Sequence, residues 1–371
     1  MRSALVVGAG PAGATAALVL ARAGVAVTLV AAPETMAFPI GEGLPPAAHP
    51  VLAALGLEAR VEAQGHRRAL GNISSWGSDA LAATDFILHP FGSGWHLDRR
   101  AFDRGLRDAA REAGATIVPG WLRDADGRAG AWRARIETQG GTESTLAAEV
   151  VVDCSGRHCI FARRRGARRR RFDRLVACAA LLTAAADDAD ATTRIEAERD
   201  GWWHTARLPD GTRIVMFVTD GDLPGAREVR TRDAFCERLQ RTRHVGPLCA
   251  ERGYAIASRL RVAAADTARL DRVHGDGWLA AGDAAASFDP ISSQGIMTAM
   301  QSGQQAAAAL LNDAAASYAA AVDAAWARYG GERASVYAQE QRWPDAPFWA
   351  RRGPVRGSGV SAREVDDALR V

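Results

Sequence analysis

The chain has 371 residues, of which 48% are hydrophobic and 24% are charged, enough for one large core or two linked ones. It contains no apolar run of roughly eighteen uncharged residues, so we expect no transmembrane helix. All 46 basic residues are arginines, which excludes any mechanism that requires a lysine, and the net charge of +3 argues against a nucleic-acid-binding protein.

The N-terminal segment MRSALVVGAG runs directly into a predicted strand, so we expect no signal peptide. The five cysteines are odd in number and contain no CxxC pair. This pattern favours free thiols in a reducing compartment, and we therefore expect a cytoplasmic protein without a metal site.

A glycine-rich loop follows the first predicted strand, at residues 4–7. Its GxGxxG pattern precedes an alanine-rich helix that extends to about Gly24 and a second strand at residues 25–30. Such glycines permit a tight turn and let the backbone approach a pyrophosphate at the helix N-terminus. The context predicts a dinucleotide site formed by Gly8, Gly10, Pro11, Ala12 and Gly13.

The acidic residue that usually ends the second strand and binds the ribose is missing. Ala31 stands at that position, and the nearest carboxylate is Glu34, beyond Pro33. Either Glu34 turns back to the ribose or the ribose lacks a charged partner, and we expect the dinucleotide to be held weakly.

A second loop-to-helix start follows the apolar residues 273–281. There Asp283 can accept hydrogen bonds from ribityl hydroxyls, and the amides of Gly295 and Ile296, after Pro290, can stabilise negative charge on a reduced flavin. An ordinary strand–turn–helix with an N-capping Asp283 is the alternative. Together the two loops favour FAD over NAD.

Several segments carry a resemblance to a known family. Residues 39–46, PIGEGLPP, resemble the GESLPP segment of tryptophan-halogenase-like flavoproteins, and residues 96–99, HLDR, resemble their arginine segment. The chain resembles the FAD-dependent monooxygenase superfamily with the p-hydroxybenzoate hydroxylase fold. GDAAASFDPISSQG, GWW and RWPDAPFWARR are most similar to the LodB/GoxB-like subgroup, which modifies a peptidyl tryptophan during cysteine tryptophylquinone biogenesis. The resemblance implies that Glu42 and Arg99 contact FAD.

We therefore predict an α/β fold in which a Rossmann-type FAD-binding domain is interleaved with an antiparallel-sheet substrate domain, followed by C-terminal helices. The predicted FAD-binding domain comprises 1–75, 96–160 and 255–312, the substrate domain 76–95 and 161–254, and the helical segment 313–371. Strand character at 73–76, 84–89, 175–182, 193–199, 203–208 and 213–219 indicates the antiparallel sheet. Ser361 and Glu364 form a capping box for a short last helix.

Residues 162–174, ARRRGARRRRFDR, contain eight arginines between the two predicted domains. As a site, this run could dock an acidic partner protein or a nicotinamide phosphate. We favour a solvated, mobile loop.

Candidate substrate-side residues lie in GWWHTARLPDG and in the flavin loop. Trp202 and Trp203 alternate across a strand, so one is expected to face the core and the other a cavity. His204 could orient a substrate carbonyl or indole N–H, but a surface position is favoured. Asp289 could accept a proton from an indole intermediate or stabilise its turn. The aromatic residues of the RWPDAPFW segment are expected to attach the C-terminal segment to the body of the protein.

The expected chemistry is that of a monooxygenase, in which reduced FAD and molecular oxygen form a C4a-hydroperoxide. The sequence contains no second GxGxxG pattern, so the electrons are expected from NAD(P)H docking transiently or from a separate flavin reductase. The expected substrate is a tryptophan in a partner protein.

The alternatives are a halogenase, a geranylgeranyl-reductase-like oxidoreductase acting on a small molecule, and a non-catalytic flavoprotein chaperone. GWW resembles the GWxWxIP segment of tryptophan halogenases. However, His204 stands in place of its second tryptophan, Ala206 and Arg207 replace Ile-Pro, and the lysine used by those enzymes is absent.

Overall fold

The secondary structure comes from a computed structural model that describes residues 1–184 and 187–353. The strands of this part of the chain are β1 (Ser3–Val7), β2 (Ala26–Ala31), β3 (Gly43–Leu44), β4 (Arg67–Ala69), β5 (Gly71–Ser75), β6 (Ala82–Asp85), β7 (Gly94–His96), β8 (Thr116–Pro119), β9 (Trp121–Arg128), β10 (Ala131–Glu137), β11 (Glu143–Ala148), β12 (Val150–Asp153), β13 (Arg169–Arg171), β14 (Leu175–Thr183), β15 (Thr192–Glu198), β16 (Gly201–Arg207), β17 (Arg213–Asp220), β18 (Ala255–Ile256), β19 (Arg261–Ala264), β20 (Ala268–Leu270), β21 (His274–Gly275), β22 (Trp278–Ala280) and β23 (Ala286–Ser287). The helices are α1 (Pro11–Arg22), α2 (His49–Ala54), α3 (Glu58–Ala63), α4 (Arg99–Glu112), α5 (Ile160–Arg164), α6 (Pro224–Glu228), α7 (Arg232–Gln240), α8 (Val245–Glu251), α9 (Gly295–Leu311), α10 (Ala315–Ala338) and α11 (Pro347–Ala350). Ser361 and Glu364, the predicted capping box, lie outside the described residues.

The first layer is a six-stranded sheet in the order β21-β22-β12-β1-β2-β8, in which all strand pairs are parallel except β21 with β22. Its central strands are short runs of Val, Leu and Ala because both faces of the sheet are covered, by helices such as α1 and by the small sheet β11-β10-β9, which contacts β1, β2 and β12. Helix α1 packs against both α9 and α4. The predicted glycine-loop strand, the following helix and the second strand all lie here.

The second layer is an eight-stranded sheet. Its main path is β18-β14-β17-β16-β15-β5-β6, and β19 also pairs with β14. Adjacent strands are antiparallel except β15 with β5. The predicted strand at 84–89 is wrong in its second half, because the strand ends at Asp85 and residues 86–88 form a 3-10 turn whose N-cap is the Asp85 carboxylate. Helices α6, α7 and α8 follow β17 and pack beneath this sheet.

Three small sheets complete the described structure, in the orders β11-β10-β9, β13-β20-β23 and β3-β7-β4. Helix α10 lies within the segment predicted to be helical at 313–371, and α9 directly precedes that segment. The result is the predicted α/β fold, with a parallel sheet and a largely antiparallel sheet formed from interleaved chain segments. The domain boundaries remain a prediction.

None of the helices in the described residues is both long enough and apolar enough to span a bilayer.

Candidate functional site

One side of the glycine loop between β1 and α1 packs closely against neighbouring backbone, and the other side has no atoms of the described residues next to it. Gly8 has φ of +102°, and a Cβ there would overlap the carbonyl of Cys154. A Cβ at Gly13 would overlap the Gly8 carbonyl, whereas one at Gly10 would meet no atom within 4 Å. Gly10 is also the N-cap of α1 and offers no side-chain cap to the first helical amides. The open face thus leaves room and free N–H donors for a pyrophosphate.

The second flavin loop runs from the end of β22 to α9. Helix α9 begins at Gly295, as predicted, and its N-cap Gln294 provides no side-chain hydrogen bond. Asp283 lies in a 3-10 turn just after β22, and its Oδ2 is 3.4 Å from Nε of Arg157. Pro290 and Ile296 line the same cavity as Asp283. The two loops therefore converge from opposite ends of the sequence.

Arg99 supports the segment that contains Glu42. Its Nη1 donates to the carbonyl oxygens of Gly41, at 2.6 Å, and Ile40, at 3.2 Å, while Nη2 pairs with Asp103 at 3.1 Å. Its Nε is buried without a hydrogen-bond partner. Arg99 and Glu42 both line the cavity, and their contact with FAD stays a prediction.

The missing ribose carboxylate is not replaced by Glu34. This side chain is about half exposed, and it pairs with Arg107 at 2.6 Å and with Arg100 at 3.5 Å. Glu34 is thus held by α4, and Ala31 remains the residue at the end of β2.

A cavity of about 410 Å³ connects the flavin loops to the large sheet. Its cofactor end is formed by the two glycine loops and Asp283. Its other end is formed by side chains of the eight-stranded sheet, among them Ala177, Trp202, His204, Met216 and Val218. This volume lies in the range of small-molecule sites.

Of the two adjacent tryptophans of β16, one lines the cavity and the other packs in the core. Trp202 lines the cavity, and its Nε1 donates to the hydroxyl oxygen of Tyr337 at 3.2 Å. Trp203 is fully buried against Phe217 and Phe235, with ring centroids 5.0 and 5.3 Å away. The alternation expected of a strand is therefore present, and Trp202 is the cavity residue.

His204 is buried, which corrects the expectation of a surface residue. It lies on β16, a central strand of the large sheet, where its side chain is buried. Its Nε2 lies 3.4 Å from Oε1 of Glu42. Burial lowers the pKa of His204, against the opposing effect of Glu42, and favours a neutral ring. Nδ1 of His204 and Oε2 of Glu42 are both buried without a hydrogen-bond partner.

Asp289 stabilises its own turn and also anchors a buried polar cluster. Its Oδ1 accepts from the Ile291 amide at 3.0 Å, and its Oδ2 accepts from the Tyr337 hydroxyl at 2.8 Å and from Nε of Arg333 at 3.1 Å. Tyr337 and Arg333 were not identified from the sequence. They lie on α10 more than forty residues after Asp289, and an alanine-rich helix gave no signal for them.

The arginine run is ordered by its surroundings, which corrects the expectation of a mobile loop. It contributes to α5 and forms β13, which pairs with β20. Arg169 is partly buried and donates hydrogen bonds to Asp266 at 2.8 Å and to Ser287 at 2.9 Å. These partners lie about a hundred residues further along the chain, beyond the reach of local sequence patterns.

The predicted C-terminal aromatic contacts are present. Phe348 and Trp349 are buried beside Tyr337, and Nε1 of Trp349 donates to the carbonyl oxygen of Glu198 at 2.9 Å. They attach the end of the described chain to the large sheet.

These residues fit FAD. The open face at Gly10 and the uncapped start of α1 suit its pyrophosphate, and Asp283 is positioned to accept bonds from its ribityl chain. Glu42 and Arg99 also line the cavity, and each has a buried polar atom without a hydrogen-bond partner among the described residues.

Comparison with known proteins supports the same cofactor. A family profile described as an FAD binding domain matches residues 1–343. The putative FAD-dependent oxidoreductase LodB of Marinomonas mediterranea is 28% identical over 358 residues, which cover 94% of this chain and 96% of LodB.

Two solved structures extend the comparison. The flavin-dependent halogenase CmlS has a TM-score of 0.85 and 25% identity, covering 100% of this chain and 70% of its own. QhpG, a peptidyl tryptophan dihydroxylase essential for tryptophylquinone cofactor biogenesis, has a TM-score of 0.77 and 27% identity, covering 97% of this chain and 81% of its own.

Proposed function

This chain belongs to the FAD-binding-domain family and is an FAD-dependent oxidoreductase of its halogenase-like branch, and we propose that it hydroxylates a tryptophan side chain in a partner protein. The observation that carries the proposal is the cavity shared by the flavin loops and the large sheet. Trp202 lines this cavity, and so does Glu42, whose buried Oε2 has no hydrogen-bond partner among the described residues. The similarity of the chain to QhpG, a peptidyl tryptophan dihydroxylase, supports this substrate class.

The residues predicted to bind the cofactor would hold it at the loop end of the cavity. Gly8, Gly10, Pro11, Ala12 and Gly13 would hold the pyrophosphate, and Asp283 the ribityl chain. The amides at Gly295 and Ile296 would face negative charge on the ring. When bound and reduced, FAD supplies the two electrons that activate oxygen; NAD(P)H or a separate flavin reductase delivers them.

The side chains at the sheet end of the cavity would orient the substrate and exclude water from it. Oε2 of Glu42 is buried and has no hydrogen-bond partner among the described residues, and we assign to it acceptance of the indole N–H, which would make the ring more nucleophilic. Neutral His204 positions Glu42 through their 3.4 Å contact. In the net reaction, one oxygen atom of O₂ enters a ring C–H bond, the other leaves as water, and the reduced cofactor is oxidised.

Trp202 and Asp289 would position the substrate without contacting its N–H. Trp202 forms an aromatic wall, and Tyr337 fixes its ring through a bond that Asp289 supports from the other side. The carboxylate of Asp289 is already engaged by Tyr337 and Arg333, so we assign it a positioning role in place of proton acceptor.

Halogenation is the second candidate, and the similarity to CmlS over the whole chain favours it as strongly. The absence of lysine stands against any halogenase mechanism that requires one. Both candidates use a buried cavity at the flavin, so the product must distinguish them.

Co-expression with a quinoprotein precursor encoded nearby tests the proposal. The intact mass of the precursor should increase by whole oxygen atoms with this protein and not without it. The purified protein, given reduced FAD, oxygen and chloride or bromide, tests halogenation in parallel. A precursor of unchanged mass would refute peptidyl tryptophan hydroxylation, and replacement of hydrogen by halogen would establish the second candidate.

A further inference from the structure

A concave surface beside the flavin cavity is lined almost entirely by arginine side chains. It has a volume of about 820 Å³, and we call it the arginine groove; its lining residues are Arg157, Arg163, Gly166, Ala167, Arg168, Arg169 and Arg171. The function proposed above leaves it without a role.

The positive charge of the groove is only partly balanced. Asp266 is nearly buried and is shared by Arg157, Arg169 and Arg171, at 3.2, 2.8 and 3.4 Å. The exposed side chains of Arg163 and Arg168 form no ion pair or hydrogen bond with the rest of the described chain. The groove therefore offers arginines free to bind carboxylates, which a guanidinium can grip in a bidentate geometry.

One wall of the groove is the edge strand β13. It is the outer strand in the order β13-β20-β23 and pairs only with β20 among the described strands. An edge strand presents unpaired backbone groups to which an extended peptide can add.

The groove also adjoins the flavin cavity. Arg157 lines both the groove and the cofactor end of that cavity, where it contacts Asp283. A chain that lies along the groove therefore reaches the lining of the cavity at Arg157.

The backbone around the groove does not form a phosphate cradle. The amides of Gly166, Ala167 and Arg168 already donate to the Arg163 carbonyl, the Ala162 carbonyl and the Asp271 carboxylate. Phosphate sites in loops typically depend on such amides being free. The arginines are moreover spread along the end of α5 and along β13, which suits several carboxylates along an extended chain better than one compact anion.

We propose that the arginine groove docks an extended acidic segment of the protein whose tryptophan enters the flavin cavity. The inference rests on the proposed function, because it names the recognition element of that protein substrate. Docking would use arginine–carboxylate pairs along the groove and added backbone pairing at β13.

Binding of two labelled peptides to the FAD-loaded protein tests this proposal by fluorescence anisotropy. One peptide carries a central tryptophan flanked by glutamates, and the other has glutamines in their place. The groove variant is Arg163→Gln/Arg168→Gln/Arg171→Gln. The matched control, Arg104→Gln/Arg227→Gln/Arg241→Gln, removes the same charge from exposed positions outside the groove. Thermal unfolding verifies that both variants remain folded.

The acidic peptide should bind more tightly than the glutamine peptide, and less tightly as salt is raised. The groove variant should weaken its binding by about tenfold or more, and the control by less than about twofold. Equal losses in both variants, or no loss in the groove variant, would overturn the proposal. A groove variant that loses NADPH affinity but keeps peptide affinity would also overturn it and identify a nucleotide-phosphate site.

The mass of the peptide after turnover reports separately on the proposed function. Groove-dependent binding without oxygen incorporation supports the docking site and contradicts hydroxylation. Oxygen incorporation with groove-independent binding supports hydroxylation and contradicts the docking site.

Discussion

Two adjacent tryptophans on β16 allow the same substitution to test stability and function separately. Trp203→Phe would leave a hole of about 40 Å³ in a close-packed core, which costs about 1 kcal/mol. The lost apolar burial, roughly 40 Å², contributes about 1 kcal/mol more. The bond from Nε1 to Oε2 of Glu198, 2.6 Å long, contributes about another 1 kcal/mol. We therefore expect a free energy of unfolding lower by about 3 kcal/mol.

Trp202→Phe should behave differently, because its lost volume merges with a cavity that already exists. The bond it loses, to Tyr337, is long at 3.2 Å, and Tyr337 keeps its bond to Asp289. We expect a loss of only about 1 kcal/mol in stability, together with a clear loss of turnover.

Urea denaturation followed by far-ultraviolet circular dichroism measures the first quantity, and product mass per reduced flavin consumed measures the second. Equal destabilisation by the two substitutions, or unchanged product yield in Trp202→Phe, would refute the assignment of one residue to the core and the other to the cavity.

The remaining predictions concern the cofactor loop, the acceptor pair and acid stability. Gly10→Ala should leave the apoprotein folded but weaken FAD binding, because the added Cβ enters the open face of the loop. Gly13→Ala should also destabilise the fold, because its Cβ would overlap the Gly8 carbonyl. FAD titration and thermal unfolding distinguish the two variants. Glu42→Gln should preserve FAD binding and lower kcat, and a variant with full kcat would contradict its role as acceptor. Burial lowers the pKa of His96 from 6.5 to about 4. Between pH 6.5 and about pH 4 the unfolded chain therefore binds a proton that the folded protein does not, so the free energy of unfolding decreases as the pH falls through this range. The contribution is on the order of 3 kcal/mol, and His96→Gln should flatten this pH dependence of unfolding, whereas His158→Gln, at an exposed position, should not.

The cofactor half of the site was predictable because its signals are local. The glycine loop, the uncapped starts of α1 and α9, and Asp283 are each set by a few consecutive residues. Backbone conformation and helix termini follow from such short stretches.

The substrate half could not be predicted in the same way. The burial of His204 depends on the neighbouring strands of β16 and on Glu42, which lies about 160 residues earlier in the chain. Asp289 obtains its partners from α10, and Arg169 obtains Asp266 from the segment before β20. A residue's local sequence contains no information on which distant side chain it will meet, so composition alone favoured solvent for both His204 and the arginine run.

The order of strands in the parallel sheet has a consequence for how the protein is made. Its two middle strands, β12 and β1, are neighbours in space but about 145 residues apart in sequence, and β22 beside them comes more than 120 residues later still. A ribosome therefore releases the glycine loop long before the second flavin loop and α9 exist. In the nascent chain, β1 cannot pair with β12, and α1 cannot pack against α9, until those later elements have been synthesised. Pairings of such sequence separation also form slowly. A cofactor site that uses both loops can therefore be completed only after α9, which lies in the final third of the chain, has emerged.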